Sequence, residues 1–361
     1  MRAKKVLAMI LAGAICASVL TGCGINKGAT AATMKDQTIT MGMANFCCRF
    51  QQANIEDYYK SMMGAGQDTD IWSQDLYGNG TTMEDSVKDS VMEQLHEMYT
   101  LKAHMDDYKI TVTADEKKSI TEAAKKFIES NSSETLSEMT ADQDTVEELL
   151  TLYTIQHKMK AAIEAEADTN VTDKEANERG YSMVTISTVS HQDADGNTVD
   201  YTDDEKAQLK ETAGKMVDEI AGNAESLDTV AEKYGYEVKK DAYAADDSAL
   251  DEDVKKTLDG LKAGEVSGLI ETDNALYIVR LDSETDKEAT EKNKETIIEQ
   301  RKTDHYNEVL EKWQKKDNWK VKEKNIEKIS FKNSLTQKDP NASTETEAST
   351  GAETSTEVST Q

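Results

Sequence analysis

Proline is almost missing from this chain: the one in its 361 residues is Pro340, close to the C-terminus. Nothing before it breaks a helix by ring clash or a lost N–H, so long uninterrupted helices are permitted. Cysteine is scarce as well, at four residues. Cys47 and Cys48 are adjacent, and neighbours in sequence close only a strained ring, so a disulfide between them is excluded as a structural staple. They read as two half-buried thiols on a helix. The five histidines are scattered, and none lies at metal-ligand spacing from a cysteine. Aromatics make up 6% of the chain, which excludes a large aromatic core. Positive charge is outnumbered, with 42 Lys and Arg against 70 Asp and Glu and a net charge of -28. A surface of that sign repels phosphate backbones, so no nucleic-acid partner is expected. No nucleophile triad, phosphate loop or metal cluster is visible, and no cofactor is expected.

The N-terminus is built differently from the rest. Arg2, Lys4 and Lys5 precede a short apolar run, Val6 to Leu20, too short for a permanent span but fit for a signal h-region. It closes on Leu20-Thr21-Gly22-Cys23, which resembles the bacterial lipobox. The resemblance implies cleavage before Cys23, diacylglycerol on its thiol, and a mature chain held at the outer face of the cytoplasmic membrane. Loss of residues 1–22 removes three basic residues and no acid, taking the net charge from -28 to -31. Residues 23–33 then read as a small-residue tether.

Residues 34–176 carry helical periodicity after a strand-like piece at Gln37–Thr40. Helical character starts near Met43. Gly64–Gly80 reads as a loop, and Thr81-x-x-Glu84 as a capping box. Val87, Val91, Leu95, Met98, Leu101, Met105 and Tyr108 follow as one apolar stripe. Thr113-x-x-Glu116 caps a second helix, and Val146, Leu149, Leu150 and Tyr153 mark a third. The texture changes over 177–284. Tyr181–Val189 is β-branched, Thr202-x-x-Glu205 opens a helix, Gly235 stops another, and Ala275–Leu281 is the most apolar strand. The order β-α-α-β-α-β-β predicts a small α+β unit. Residues 285–332 hold a charged helix whose apolar side, Ile297, Ile298, Val309, Leu310 and Trp313, has nothing local to cover it. Residues 333–361, rich in Ser, Thr and Glu, read as a tail without a core.

The block GEVSGLIETDNALYIVRL, residues 264–281, resembles the end of a parvulin-type (PpiC, rotamase) domain. LDTVAEKYG at 227–235 resembles that family's middle helices, and residues 83–116 resemble the N-terminal region of PrsA- and SurA-type foldases. The resemblance spans roughly residues 34–330. It implies an α+β protein whose N- and C-terminal segments form one helical chaperone module, with the parvulin-like domain inserted. The family's usual site has two histidines, a Cys or Asp, and an apolar Met/Phe pocket for proline. By the strand and GEVS registers, the histidine positions fall at Thr185 and Tyr277, and the pocket positions at Leu250 and Val254. The Cys/Asp position has no alignable counterpart, and Asp241 is the candidate on offer. His191, just past the first strand, reads as a surface histidine in a loop.

The expected function is therefore an extracytoplasmic chaperone for unfolded, newly secreted polypeptides, with weak or absent proline isomerisation. An active isomerase is the alternative. A lipoprotein adaptor or binding protein is the third reading, and it lacks the second large α/β lobe that most solute binders need.

Overall fold

The computed structural model describes residues 15–17, 24–63, 71–76, 78, 80–193, 195–223 and 226–337, with backbone alone at 15–17, 222–223 and 336–337. The expected leader, apart from the backbone of Ile15–Ala17 (β1), and Cys23 lie outside these residues, as do most of the expected 64–80 loop and everything after Gln337. The chain divides into two compact units, residues 1–166 with 305–361, and residues 167–304. The protein is α+β.

The first unit is built on helices α1 (Met41–Met63), α2 (Met83–Ala103), α3 (Ala114–Ser130), α4 (Ser133–Glu138) and α5 (Gln143–Glu164). Met41 through Arg49 are all buried: the apolar residues pack into the core, and the polar Asn45 and Arg49 find the Glu138 and Ser330 carbonyls there at 2.9 and 2.6 Å. Cys47 and Cys48 are free and buried, more deeply than their sequence implied. The stripe on α2 is buried from Val87 to Leu101. Its cap is one residue later than the sequence pattern predicts. Thr82 accepts from the Asp85 N–H at 3.1 Å, while Glu84 is drawn away into an ion pair with Lys88 at 2.6 Å. At α3 both halves of the capping box form, between Thr113 and Glu116.

Residues 30–33 are not a tether. Thr30–Met34 (β2) is the central strand of an antiparallel sheet between β3 (Gln37–Thr40) and β10 (Lys320–Val321). Ala31 and Ala32 are fully buried; their methyl groups let the strand approach the helices closely, which makes small residues look like linker in sequence. After β10, a short helix α10 (Glu323–Ile326) leads to Ile329, Phe331 and Leu335, all buried in the same core. Regular structure thus continues into β11 (Leu335–Gln337), beyond the expected start of the tail at 333. β11 pairs antiparallel with β1.

The long helix α9 (Lys287–Gln314) belongs to the second unit up to residue 304 and to the first from 305. Within the first unit, Tyr306 and Leu310 bury against Leu101, Ile155, Met159 and Ile163, with Trp313 packed beside them. The division falls inside the helix, not at the 284/285 boundary expected from composition.

The second unit is a four-stranded antiparallel sheet in the order β7-β4-β9-β8, from β4 (Glu178–Ser187), β7 (Val238–Ala244), β8 (Ile270–Glu271) and β9 (Ala275–Ser283). A small hairpin, β5 (Ser190–Gln192) and β6 (Thr198–Asp200), follows β4. Alternation splits the strands between two cores. Val184, Ile186, Leu276 and Ile278 pack on α6 (Asp203–Asn223) and α7 (Leu227–Tyr234). Tyr181, Val279 and Leu281 pack with Tyr243 and α8 (Glu252–Gly260) on the other face.

Candidate functional site

The register of β4 against β9 sets Thr185 directly opposite Tyr277. Directly opposed residues carry their Cβ atoms about 4.5–5.5 Å apart, so two positions chosen 92 residues apart in sequence are cross-strand neighbours. Thr185 is exposed and Tyr277 half-buried. Both lie on the face that α8 covers. Met183, two residues back along β4, packs into the same core with Leu250, Leu261 and Tyr277. On its other side Tyr277 pairs with Ile270 of β8. The surface offered here is therefore apolar, with a hydroxyl on each of two adjacent strands.

The other sequence candidates fare unequally. Leu250 is half-buried at the edge of this core, where it can offer a face to a ligand. Val254 is 1% exposed and forms the floor beneath, so it shapes the patch without touching what binds there. Asp241 is separated from the pair. It sits opposite Tyr181 on β7, four residues along β4 from Thr185, roughly 13 Å at about 3.3 Å per residue. Its surroundings are acidic. Burial, then Asp241 and Asp247, push the Tyr181 hydroxyl up to about 12. Burial, then Asp247, Asp241 and Asp246, raise the Glu178 carboxyl. Asp241 thus belongs to an acidic edge and not to the Thr185–Tyr277 pair. His191 is half-buried in β5, with its ring stacked on Tyr201 at 4.6 Å; the hairpin, unread in sequence, gives it a partner.

The GEVS turn has a structural role. Gly264 has φ +88 and donates to the Leu281 carbonyl at 2.7 Å, a conformation that glycine adopts without cost. Ser267 is buried; its hydroxyl accepts from the Val279 N–H at 3.0 Å and donates to the Gly268 carbonyl at 2.7 Å. The turn is thereby stitched to β9 and holds Tyr277 in register. Sequence reasoning missed Met183, Leu261 and Ile270 as neighbours of the pair. The two-residue period of a strand, which sets Met183 on the same face as Thr185, was the available signal for Met183.

On the opposite face, Arg280 donates to Asp228 at 2.8 Å and to Ser182 at 3.0 Å. Its hydrogen bond holds the Asp228 carboxyl below the usual range. This network braces α7 on the sheet. A cavity of about 600 Å³ in this unit is lined by Asp173, Glu175, Arg179, Asp246 and Asp259, and takes in none of the five site residues. Among the described residues no three His, Cys, Asp or Glu side chains converge to hold a metal.

Residues 175–293 match the family described as PPIC-type PPIASE domain. This segment is a PPIC-type domain. It takes up a third of the chain and lies wholly within the second unit. No curated protein matches the chain. Among solved structures, the chain is similar to the foldase protein PrsA of Lactococcus lactis at 17% identity, covering 82% of this chain and 95% of that one, with a TM-score of 0.32. The peptidylprolyl isomerase PrsA of Bacillus cereus matches at 15% identity over 85% and 98%, TM-score 0.28. One of two SurA-like chaperones of Campylobacter jejuni matches at 10% over 81% and 99%, TM-score 0.27. Thr185 and Tyr277 both lie within the matched segment 175–293.

Proposed function

We propose that the protein is a membrane-tethered extracytoplasmic foldase that binds unfolded secreted polypeptides and has little or no isomerase turnover. The observation that carries this reading is the Thr185–Tyr277 pair, set on an apolar face of the PPIC-type domain. Rotating an X-Pro bond means lowering a barrier of ~18–20 kcal/mol without covalent chemistry. An apolar seat for the ring and preorganised hydrogen bonds around the twisting amide supply that. Met183, Leu250 and Tyr277 provide the seat. Two hydroxyls replace two imidazoles, and one lost preorganised donor costs about 10²–10³ in rate in other enzymes. Binding an extended segment needs only the apolar seat. The lipobox-like Leu20–Cys23 supports anchoring by lipid at the outer face of the cytoplasmic membrane.

The test is a proline-isomerisation assay run beside aggregation suppression on the mature chain. Suppression with turnover near background is expected. Thr185→His with Tyr277→His should raise turnover by about 10² or more. Wild-type turnover equal to that of active parvulins, abolished by Tyr277→Ala, would overturn the proposal in favour of an active isomerase.

A further inference from the structure

Arg49 lies on α1 with its side chain 1% exposed, and it is spent on backbone. Its guanidinium donates to the carbonyls of Ser330 at 2.6 Å and Asn333 at 2.9 Å. One turn along α1, Gln52 donates to the carbonyls of Phe331 at 3.1 Å and Asn333 at 3.0 Å. Two carboxylates complete the pattern. Glu84 accepts from the Phe331 N–H at 3.3 Å and Glu56 from the Leu335 N–H at 2.7 Å. Among the side chains, Asn333 donates to Glu138 at 2.8 Å and Ser334 to Glu56 at 2.6 Å. Between these polar groups, Ile329, Phe331 and Leu335 sink into the core, Phe331 edge-on against Trp72 at 4.7 Å.

This is how an extended strand is recognised when its sequence must not matter: main-chain groups supply the hydrogen bonds, and apolar sockets take alternate side chains. Burying a guanidinium is costly, and apolar packing of the same volume would hold a fixed C-terminus at least as well. No described element follows Gln337. Removal of the proposed leader would also take away Ile15–Ala17, the strand that pairs with β11.

We propose that this groove, lined by Arg49, Gln52, Glu56, Trp72 and Glu84, binds extended apolar segments of unfolded polypeptides, and that residues 329–335 fill it until such a segment displaces them. The inference rests on the chaperone reading and names its binding surface. The client has apolar residues in the 329/331 spacing. A groove closed by its own chain lowers apparent affinity by the fraction of molecules that are open.

Hydrogen exchange on the full mature chain tests this, with reduced, carboxymethylated α-lactalbumin as a permanently unfolded client. The Phe331 and Leu335 amides should exchange at least ten-fold faster when the client is bound. Phe331→Ser, checked for folding by its thermal transition, should bind the client about ten-fold more tightly. Client binding with unchanged exchange at both amides, or no tighter binding by a folded Phe331→Ser chain, overturns the proposal and leaves the chaperone reading standing. No client binding at all overturns both. Should Phe331→Ser fail to fold, the exchange measurement on the unaltered chain decides alone.

Discussion

At the scale of single residues, the buried polar groups carry most of the leverage. Arg49 is held inside α1 against its desolvation by Glu138, Glu56 and Glu84. Arg49→Ala strands the Ser330 carbonyl and the Gln52 Oε1, and takes one of two donors from the Asn333 carbonyl. Breaking a buried charged network by removing one partner costs about 3–5 kcal/mol, and a loss of that order is expected in urea unfolding. Cys47 and Cys48 make a different prediction. Burial pushes both thiols up, Cys48 to about 12, so almost no thiolate forms at neutral pH. In a chain begun at residue 24, which carries no other cysteine, native protein should resist a thiol reagent at pH 8, and both thiols should react in denaturant. Fast native labelling would contradict the burial. His96 sets a pH response. Its ring stacks on Trp319 at 4.5 Å and its Nε2 lies 3.5 Å from Asp317, a carboxylate also touched by Lys35 and Thr100. Burial lowers its pKa from 6.5, outweighing Asp317. A histidine held neutral in the folded state contributes stability that is fully present above 6.5 and is lost as the pH falls below it, because the unfolded chain then binds the proton more readily. Stability should therefore fall as the pH drops below about 6.5, ahead of the carboxylate titrations, and His96→Gln should flatten that slope. An unchanged slope in the variant would assign the loss to other groups.

Among elements, α9 is decisive. Its residues from 305 onward fill the gap over Leu101, Ile155, Met159 and Ile163 with Tyr306 and Leu310. A chain ended at residue 304 should expose that gap and lose β10, the edge partner of β2. Its helices 41–166 should melt broadly and at a lower temperature in circular dichroism; a transition as sharp and high as that of the full chain would show that they stand alone. Element types were largely readable. The Thr113 and Thr202 caps stand where the S/T-x-x-E spacing puts them, since a capping box is local chemistry. The Thr81 cap moved because Glu84 has longer-range partners, Lys88 and the Phe331 amide. Thr30–Met34 was illegible as a strand, since TAATM has neither a β-branched run nor alternation and becomes a strand only between two partners.

For the whole molecule, the first unit is discontinuous in sequence, closed by residues 305–337, and the PPIC-type domain comes between its two pieces. Among the described residues no helix is long and apolar enough to cross a membrane, so on the proposed reading attachment rests on Cys23. Cys23→Ser should move the protein from the membrane fraction to the soluble one; a variant that stays membrane-bound with its leader uncut would end the lipid proposal. With lipid attached, the strong net negative charge keeps the chain off anionic lipid surfaces, so salt should not release it.

The sequence by itself determined what depends on near neighbours or on register: the helices and their stripes, the α+β texture of 177–284, and the placing of threonine and tyrosine at the two site positions. That the two face each other came only with the register of β4 against β9. Tertiary structure alone decided which apolar residues are reachable. Val254 and Leu250 look alike in sequence, yet one is floor and the other rim. It alone decided that Asp241 sits apart from the pair, and that a run of Ser, Phe, Lys and Asn near the C-terminus is held, backbone first, by an arginine 281 residues away. Such contacts join segments distant in sequence, and no periodicity or spacing records them.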